Sequence, residues 1–295
     1  MTAAVILSFF APVQYEKPAR HLHAVLHTLN ANRIPLVVTQ AVYPGQVPQP
    51  VPSSIPQKVI DTESMIFHKD RLWNIGASLT DADKLFFIDA DVVFSDASWV
   101  ERGCDLLERC DVIQPFDKAV WLDDAGLPEM SKLPIAGAIA RGVTPRLRDF
   151  HPGFAWGITR KAWCALGGLY DRSAAGNSDA LFALSLRDTS GHEEVGRWFA
   201  RRQDMSIVCP SYISYKKMAS QLDLKVGCTE GVTVTHLWHG SLKDRKYIER
   251  GKIFPRRPDH EYACHDAESG LLEWDDVRAS NASVMPYWIG KRDDG

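Results

Sequence analysis

Two aspartates two residues apart, Asp89 and Asp91, stand within the otherwise almost wholly apolar run FFIDADVVF (86–94). Along an extended chain, side chains at i and i+2 point to one side, so both carboxylates can address one ligand. Carboxylates in apolar surroundings are costly unless they find a cation, hydrogen-bond donors or water. Their oxygens are hard ligands suited to Mg²⁺ or Mn²⁺, and Mg²⁺ is ordinarily held by one or two carboxylates together with substrate phosphates. A metal-bound diphosphate is the chemistry that the pair points to. The plainer alternative is that Asp89 ends a strand and Asp91 opens a turn, both common uses of aspartate.

The elements around the pair favour the chemical reading. KLFFI (84–88) is apolar at nearly every position and reads as a central strand, with the aspartates at its carboxyl end. Before it, strand-like and helix-like segments alternate. AVILSFF (4–10) is a buried strand ended by Pro12, and Leu22, Val25, Leu26 and Leu29 give an apolar helical face over 18–31. IPLVVTQAVY (34–43) is a second strand, five prolines make 44–56 an irregular loop, and KVIDTE (58–63) is a short strand. FHKDRLWNIGASL (67–79) carries Leu72, Ile75 and Leu79 at helical spacing, and a helix (99–110) and a strand (111–116) follow the aspartates. This alternation predicts an α/β fold with a mainly parallel central sheet flanked by helices, in which ligands bind outside the carboxyl ends of the strands. Beyond 117 the pattern is irregular. A helix is expected over 191–203, with Ser190 and Glu193 in capping-box spacing, and strands over 206–215 and 231–239. One domain over 1–295 is the simplest organisation: a nucleotide-binding half (1–116), an acceptor and metal-completing half (117–255) and a C-terminal extension (256–295).

Composition sets the outer limits. The 295 residues are 45% hydrophobic and carry a formal net charge of -3, enough for a sizeable core and without the basic excess of a generic nucleic-acid binder. No apolar run reaches the ~18 residues of a membrane span, and MTAAVILSFFAP has no basic leader region, so a cytoplasmic location is expected. The six cysteines form no C-x-x-C pair, which reads as reduced structural thiols.

Just upstream of the aspartates, KDRLWNIGASLTDADKLFFIDADVVF resembles the R-x-x-N-x-G, helix, strand, D-x-D segment of nucleotide-sugar-dependent glycosyltransferases of the GT-A, Rossmann-like fold. Further on, HPGFAWGITRKAWCALGGLYDRSAAGNSDALFALSLR is similar to the G-G-x-x-x-I-x-R, L-G-G-Y-D and acidic-helix stretch of the polypeptide N-acetylgalactosaminyltransferases and β-galactosyltransferases. The two matches cover about 67–187. The resemblance implies that Asp91 binds a metal and that Asp89 contacts the ribose or donor sugar, or joins the metal. It implies that Arg71 and Asn74 hold the nucleotide or shape its pocket, and that Gly153 to Gly157, with Trp156, floor the donor sugar. Asp179 matches the acidic motif that supplies the base in inverting members and binds a sugar hydroxyl in others; the usual Glu-Asp or Glu-Asn pair is here Ser178-Asp179. In THLWHGSLKDRKYIER (235–250), His236 and His239 stand where GT-A enzymes often supply a histidine ligand. One ligand and one neighbouring histidine are expected, with His239 preferred because Gly240 leaves space beside it. An imidazole ligand tilts the cofactor from Mg²⁺ toward Mn²⁺. Lys243 and Arg245 are the expected cations for the leaving nucleotide diphosphate.

The implied activity is transfer of a hexosyl or N-acetylhexosaminyl group from a nucleotide sugar, a UDP-sugar foremost, to a hydroxyl acceptor. A sugar-phosphate nucleotidyltransferase would announce a Gly-rich basic loop after the first strand, and SFFAPVQYEKPAR has no glycine. A non-catalytic carbohydrate-binding protein would use the nine tryptophans as stacking faces, although most tryptophans in such a chain are core or rim. The expected acceptor is a glycan or small molecule. A basic face from Arg197, Arg201, Arg202, Lys216 and Lys217 would instead suit a phosphorylated or nucleic-acid acceptor.

Overall fold

Alternation along two strands decides the layers. In β1 (Ala3–Phe10) and β4 (Lys84–Ile88), Val5, Leu7, Phe86 and Ile88 join one buried cluster, while Ala4, Ile6, Leu85 and Phe87 join another on the opposite face. Both faces of the sheet are therefore covered, as a largely parallel sheet requires. Helix α1 (Glu16–Ala31) lays Leu22, Val25, Leu26 and Leu29 on the first face, and α2 (Lys69–Ala77) lays Trp73 and Ala77 on the second. Burying Phe86 and Phe87 completely contributes about 1.5–3 kcal/mol each. The computed structural model describes residues 2–143, 149–186, 210–240, 264–265 and 270–290.

The main sheet has seven strands in the order β11-β6-β10-β4-β1-β2-β3. Strands β2 (Leu36–Val42) and β3 (Gln57–Asp61) extend it from β1 in parallel, and the chain then returns to place β4 on the other side of β1. Order reverses there, so the carboxyl ends of β1 and β4 flank a topological switch point. Beyond β4, β10 (Ala155–Thr159) runs antiparallel between β4 and β6 (Val112–Gln114), and β11 (Val226–Cys228) is parallel to β6. The expected α/β architecture, with its mostly parallel sheet flanked by helices, is present, with β4 at the centre.

A second sheet, ordered β5-β12-β7-β8-β9, closes over the switch point. It comprises β5 (Val92–Phe94), β7 (Lys118–Leu122), β8 (Pro128–Pro134), β9 (Phe150–His151) and β12 (Thr233–His236). Helices α3 (Trp99–Leu106), α4 (Ile135–Ala140), α5 (Arg160–Ala165) and α6 (Ser178–Ser185) connect these strands. The strand expected over 206–215 is corrected by helix α7 (Pro210–Ser220) where the structure describes it. Proline opens that helix, and Tyr212 and Tyr215, three apart, both pack on the Tyr170 ring. The aromatic residues that suggested β alternation follow the helical period instead. The helix expected over 191–203, with Ser190, Glu193, Arg197, Arg201 and Arg202, lies outside the described residues; Lys216 and Lys217 are on α7.

Helix α8 (Val277–Ile289) belongs to the expected C-terminal extension, yet it packs Val284, Tyr287 and Trp288 around Ile66 beside the first strand's exit. Asn281 Oδ1 accepts from the Met65 amide at 2.9 Å and Trp288 Nε1 donates to the Met65 carbonyl at 3.2 Å. No described helix is long and apolar enough to cross a membrane.

Candidate active site

A cavity of about 560 Å³ lies at the carboxyl ends of β1 and β4, lined by Phe9, Phe10, Asp89 and Asp91 from those strand exits. Its opposite walls come from Trp121, Met130 and Lys132 of the second sheet and from Tyr287 and Trp288 of α8. The seven-stranded sheet fixes where it opens; the side chains around Asp89 and Asp91 decide what it can do.

The two aspartates part company. Strand β4 ends at Ile88 and residues 90–91 turn, so the extended geometry that would aim both carboxylates at one point is absent. Asp91 is carried to β12: Val92 pairs with His236, and the Leu237 amide donates to the Asp91 carbonyl at 2.8 Å. Its Oδ2 lies 2.7 Å from His239 Nε2 and 3.4 Å from His236 Nε2, so both imidazoles, rather than one, face it. One ligand atom from each of the three residues falls within 4.8 Å of the others. The Asp91 Oδ1 atom is buried and has no hydrogen-bond partner among the described residues. Burial pushes the Asp91 carboxyl up, but the two imidazoles outweigh it and hold it well below the usual carboxylate range. One carboxylate and two imidazoles form a donor set that suits Mn²⁺ better than Mg²⁺, so the residues present fit a divalent ion.

The backbone arranges this trio at some cost. Phe154 has φ 73°, a left-handed conformation unfavourable for a residue with a side chain. In return its ring stacks on His236 with centroids 5.1 Å apart and planes 22° from parallel, while its carbonyl accepts the Asp89 amide at 2.9 Å. Gly240, directly after His239, has φ 108°.

Asp89 turns instead to an ionic cluster. Its Oδ1 lies 3.1 Å from Lys69 Nζ, and the same ammonium lies 3.6 Å from Asp179 Oδ2. Burial pushes the Asp89 carboxyl up to about 6, with Lys69 opposing and Asp91 and Asp179 reinforcing. Asp70 is pushed up to about 7 by burial, against the pull of Lys69. Burial lowers Lys69 itself, but Asp89, Asp179 and Asp70 more than reverse this and hold it firmly charged. His151, on the far side of Asp179, is driven by burial down to about 3 and is neutral. Asp179 opens α6 and approaches the chain so closely that a Cβ on Gly153 would lie 2.5 Å from its Oδ2.

Several expected site residues have other partners. Trp156 is 1% exposed and packs edge-on against Phe182; register opposite Phe87 puts it on the core face of β10, so it is not a cavity wall. Gly157 likewise faces Phe86 and Ile113. Arg71 and Asn74 do not line the cavity; they hold the turn after α5. Asn74 Nδ2 donates to the Leu169 carbonyl at 2.8 Å and to Asp171 at 2.9 Å, and Oδ1 accepts from the Leu169 amide at 2.9 Å and Trp163 Nε1 at 3.2 Å. Arg71 Nη1 donates to Asp171 at 3.0 Å, and its Nε donates to the Gly270 carbonyl. Gly76 lets α2 sit on β1, since a Cβ there would lie 2.5 Å from Ile6. The R-x-x-N-x-G segment thus fixes the placement of α2 and, at its first residue, Lys69. Lys243 and Arg245 lie outside the described residues.

Lys69, Asp70, His151, Trp121 and Lys132 are cavity residues that the spacing arguments passed over. Lys69 and Asp70 abut the R-x-x-N segment directly, which was the available signal. His151 stands two residues before Gly153; Trp121 and Lys132 carry no local signature.

No protein-family model matches the chain, and no curated protein matches it in sequence. Solved structures that resemble it include GT-A-type nucleotide-sugar glycosyltransferases. A 1–349 fragment of S. aureus TarS aligns over 62% of this chain and 54% of its own, with 14% identity and a TM-score of 0.43. The mannosyltransferase PcManGT from Pyrobaculum calidifontis, solved with GDP-Man and Mn²⁺, aligns over 69% and 61%, with 13% identity and a TM-score of 0.41. Glucosyl-3-phosphoglycerate synthase from Mycobacterium tuberculosis, solved with Mn²⁺, UDP and glucosyl-3-phosphoglycerate, aligns over 56% and 58%, with 13% identity and a TM-score of 0.36. The chain spans about half the length of the TarS fragment. Likeness at this level assigns no donor, acceptor or residue role to this chain.

Proposed function

We propose that the chain is a metal-dependent GT-A glycosyltransferase that moves a hexosyl or N-acetylhexosaminyl group from a nucleotide sugar, a UDP-sugar foremost, to a hydroxyl of a glycan or small molecule. The observation that carries this reading is the pairing of two distinct centres across one cavity at the switch point: the Asp91, His236 and His239 trio, and the Lys69, Asp89 and Asp179 cluster. The D-x-D pair joins them in sequence, one aspartate to each.

Asp91, His236 and His239 would hold the divalent ion, Mn²⁺ in preference to Mg²⁺. When bound, such an ion neutralises charge on the donor diphosphate as it departs. Asp89, fixed by Lys69 and by the Phe154 carbonyl, is placed to accept hydrogen bonds from donor-sugar or ribose hydroxyls. Asp179 is the candidate base. The acceptor oxygen bonds to the anomeric carbon, its proton passes to Asp179 Oδ2, and the electron pair of the broken glycosidic bond leaves on the diphosphate oxygen. The second sheet, through Trp121, Met130 and Lys132, and α8, through Tyr287 and Trp288, wall the cavity beside these residues.

The test is nucleotide release from a panel of UDP- and GDP-sugars with Mn²⁺. The proposal expects one donor to be turned over, activity to disappear with chelator, and Asp91→Ala to abolish it. Absence of binding by every donor, together with indifference to Asp91→Ala, would reject it.

A further inference from the structure

Lys69 occupies a position that a lysine should avoid. It is the first residue of α2, where the positive end of the helix dipole disfavours a cation, and most of its side chain is withdrawn from water. Three carboxylates offset these costs, Asp89 at 3.1 Å, Asp179 at 3.6 Å and Asp70 alongside, while the Trp73 ring lies 4.8 Å beneath the ammonium. Lys84, a buried lysine at the start of β4, makes an instructive contrast. Its ammonium is held by the Cys104 carbonyl and by Glu108 just beyond α3, neither of which lines the cavity, and its side chain is 5% exposed. The Lys69 side chain is 23% exposed and the exposed part faces the cavity.

The two carboxylates that Lys69 joins come from opposite sides of the proposed reaction. Asp89 follows β4, on the donor side with Asp91; Asp179 opens α6, on the side of Gly153 and His151. We propose that Lys69 is a positioning residue, a clamp that holds Asp179 against Asp89 so that the base stands at a fixed distance from the donor sugar. This rests on the reading of Asp179 as the base. The clamp is rigid because α2 is seated by Gly76 on Ile6 and tied through Asn74 and Arg71 to the 167–171 turn that leads toward α6. Among the described residues, Lys69 and Asp70 from α2, Asp89 from the end of β4 and His151 from β9 face Asp179, and Lys69 touches it directly as a cation. The ammonium 3.6 Å from Asp179 Oδ2 favours the ionised form of that carboxyl, the form able to accept a proton.

The test uses the full chain with Lys69→Met, Lys69→Gln and Lys69→Arg, and two readouts. The first needs no substrate: carboxyl ¹³C NMR titration of Asp179, assigned with Asp179→Asn. Lys69→Met, or Lys69→Gln should the methionine variant not fold, should raise the Asp179 midpoint by about one pH unit or more, and Lys69→Arg should restore it. The second is turnover of the nucleotide sugar. The neutral variants should lose ~10²-fold or more in kcat, with Mn²⁺ affinity by electron paramagnetic resonance within about threefold, and the acidic limb of the kcat profile should move up with the NMR midpoint. An unmoved Asp179 midpoint in a folded neutral variant overturns the proposal. So does a loss of kcat with the acidic limb in place, which marks a merely structural lysine. A moved midpoint in a chain that turns over no nucleotide sugar upholds the clamp and rejects glycosyl transfer.

Discussion

Gly153→Ala tests the proposed base without removing it. Gly153 is not among the positive-φ glycines, so alanine meets no backbone penalty there. What it meets is Asp179 Oδ2 at 2.5 Å and His151 Nε2 at 3.1 Å from the new methyl carbon, where ordinary contact begins at 3.4 Å. The carboxylate must retreat by about 0.9 Å, and His151 by a few tenths, while the Asp91 trio has no atom in the clash. A displacement of about 1 Å in a catalytic group can cost ~10²-fold in rate. The expected result is therefore a fall of ~10²-fold in kcat for nucleotide release, with Mn²⁺ affinity and donor KM within about threefold. Overpacking of about 1–3 kcal/mol should lower the melting temperature by about 2–5 °C. Unchanged kcat in a folded Gly153→Ala variant would refute the placement of Asp179 at the reacting centre. Loss of Mn²⁺ affinity instead would show that the methyl acts on the metal residues.

Three further outcomes follow from single contacts. Phe154→Leu removes the ring stacked on His236 and should weaken Mn²⁺ binding by ~10–100-fold in calorimetric titration; undiminished affinity would mean that the stacking does not orient the ligand. Asn74→Ala strands the Leu169 amide and Trp163 Nε1 without their acceptor and should destabilise the chain by about 2–4 kcal/mol in denaturant unfolding, with Mn²⁺ affinity unmoved. His68 is 0% exposed, donates from Nε2 to the Ser64 carbonyl at 3.0 Å, and is lowered by burial to about 4. The unfolded chain takes up this proton near the ordinary histidine value while the native chain refuses it, so stability is full above that value and falls as pH drops toward 4. His68→Gln should flatten this limb by about 1.4 kcal/mol per pH unit, and an unchanged limb would show that His68 is not its source.

What the sequence made legible follows the range of the forces involved. β1, β2, β4 and α1 are local facts: long apolar runs and Leu22, Val25, Leu26 and Leu29 at one face declare themselves without knowledge of neighbours. Trp156 was not legible in this way, because which face of β10 it takes depends on its register opposite Phe87 across an antiparallel insertion. Tyr212 and Tyr215 misled for a related reason, since aromatic residues favour strands until a partner such as Tyr170 makes the helical spacing count. The site divides similarly. Asp89, Asp91, His236, His239 and Asp179 could be named from their residue types and order, yet their distribution into two centres arises from the turn at 90–91 and the β5–β12 pairing. Lys69 and Asp70 look like an ordinary solvated helix start until the fold brings Asp89 and Asp179 to them. Tyr287 and Trp288 reach the cavity from more than 190 residues beyond the D-x-D pair, and no local pattern carries that information.

The central claim is that Asp91, His236 and His239 hold a divalent ion for a nucleotide sugar, and it is tested most directly by Mn²⁺ paramagnetic resonance on the full chain, titrated with and without UDP-sugar. The account predicts one tight site in the wild type, its signal altered by the donor, and its loss in Asp91→Ala and in the His236→Ala, His239→Ala double variant. Mn²⁺ binding of equal strength in both variants, or a donor that binds without perturbing the ion, would contradict it.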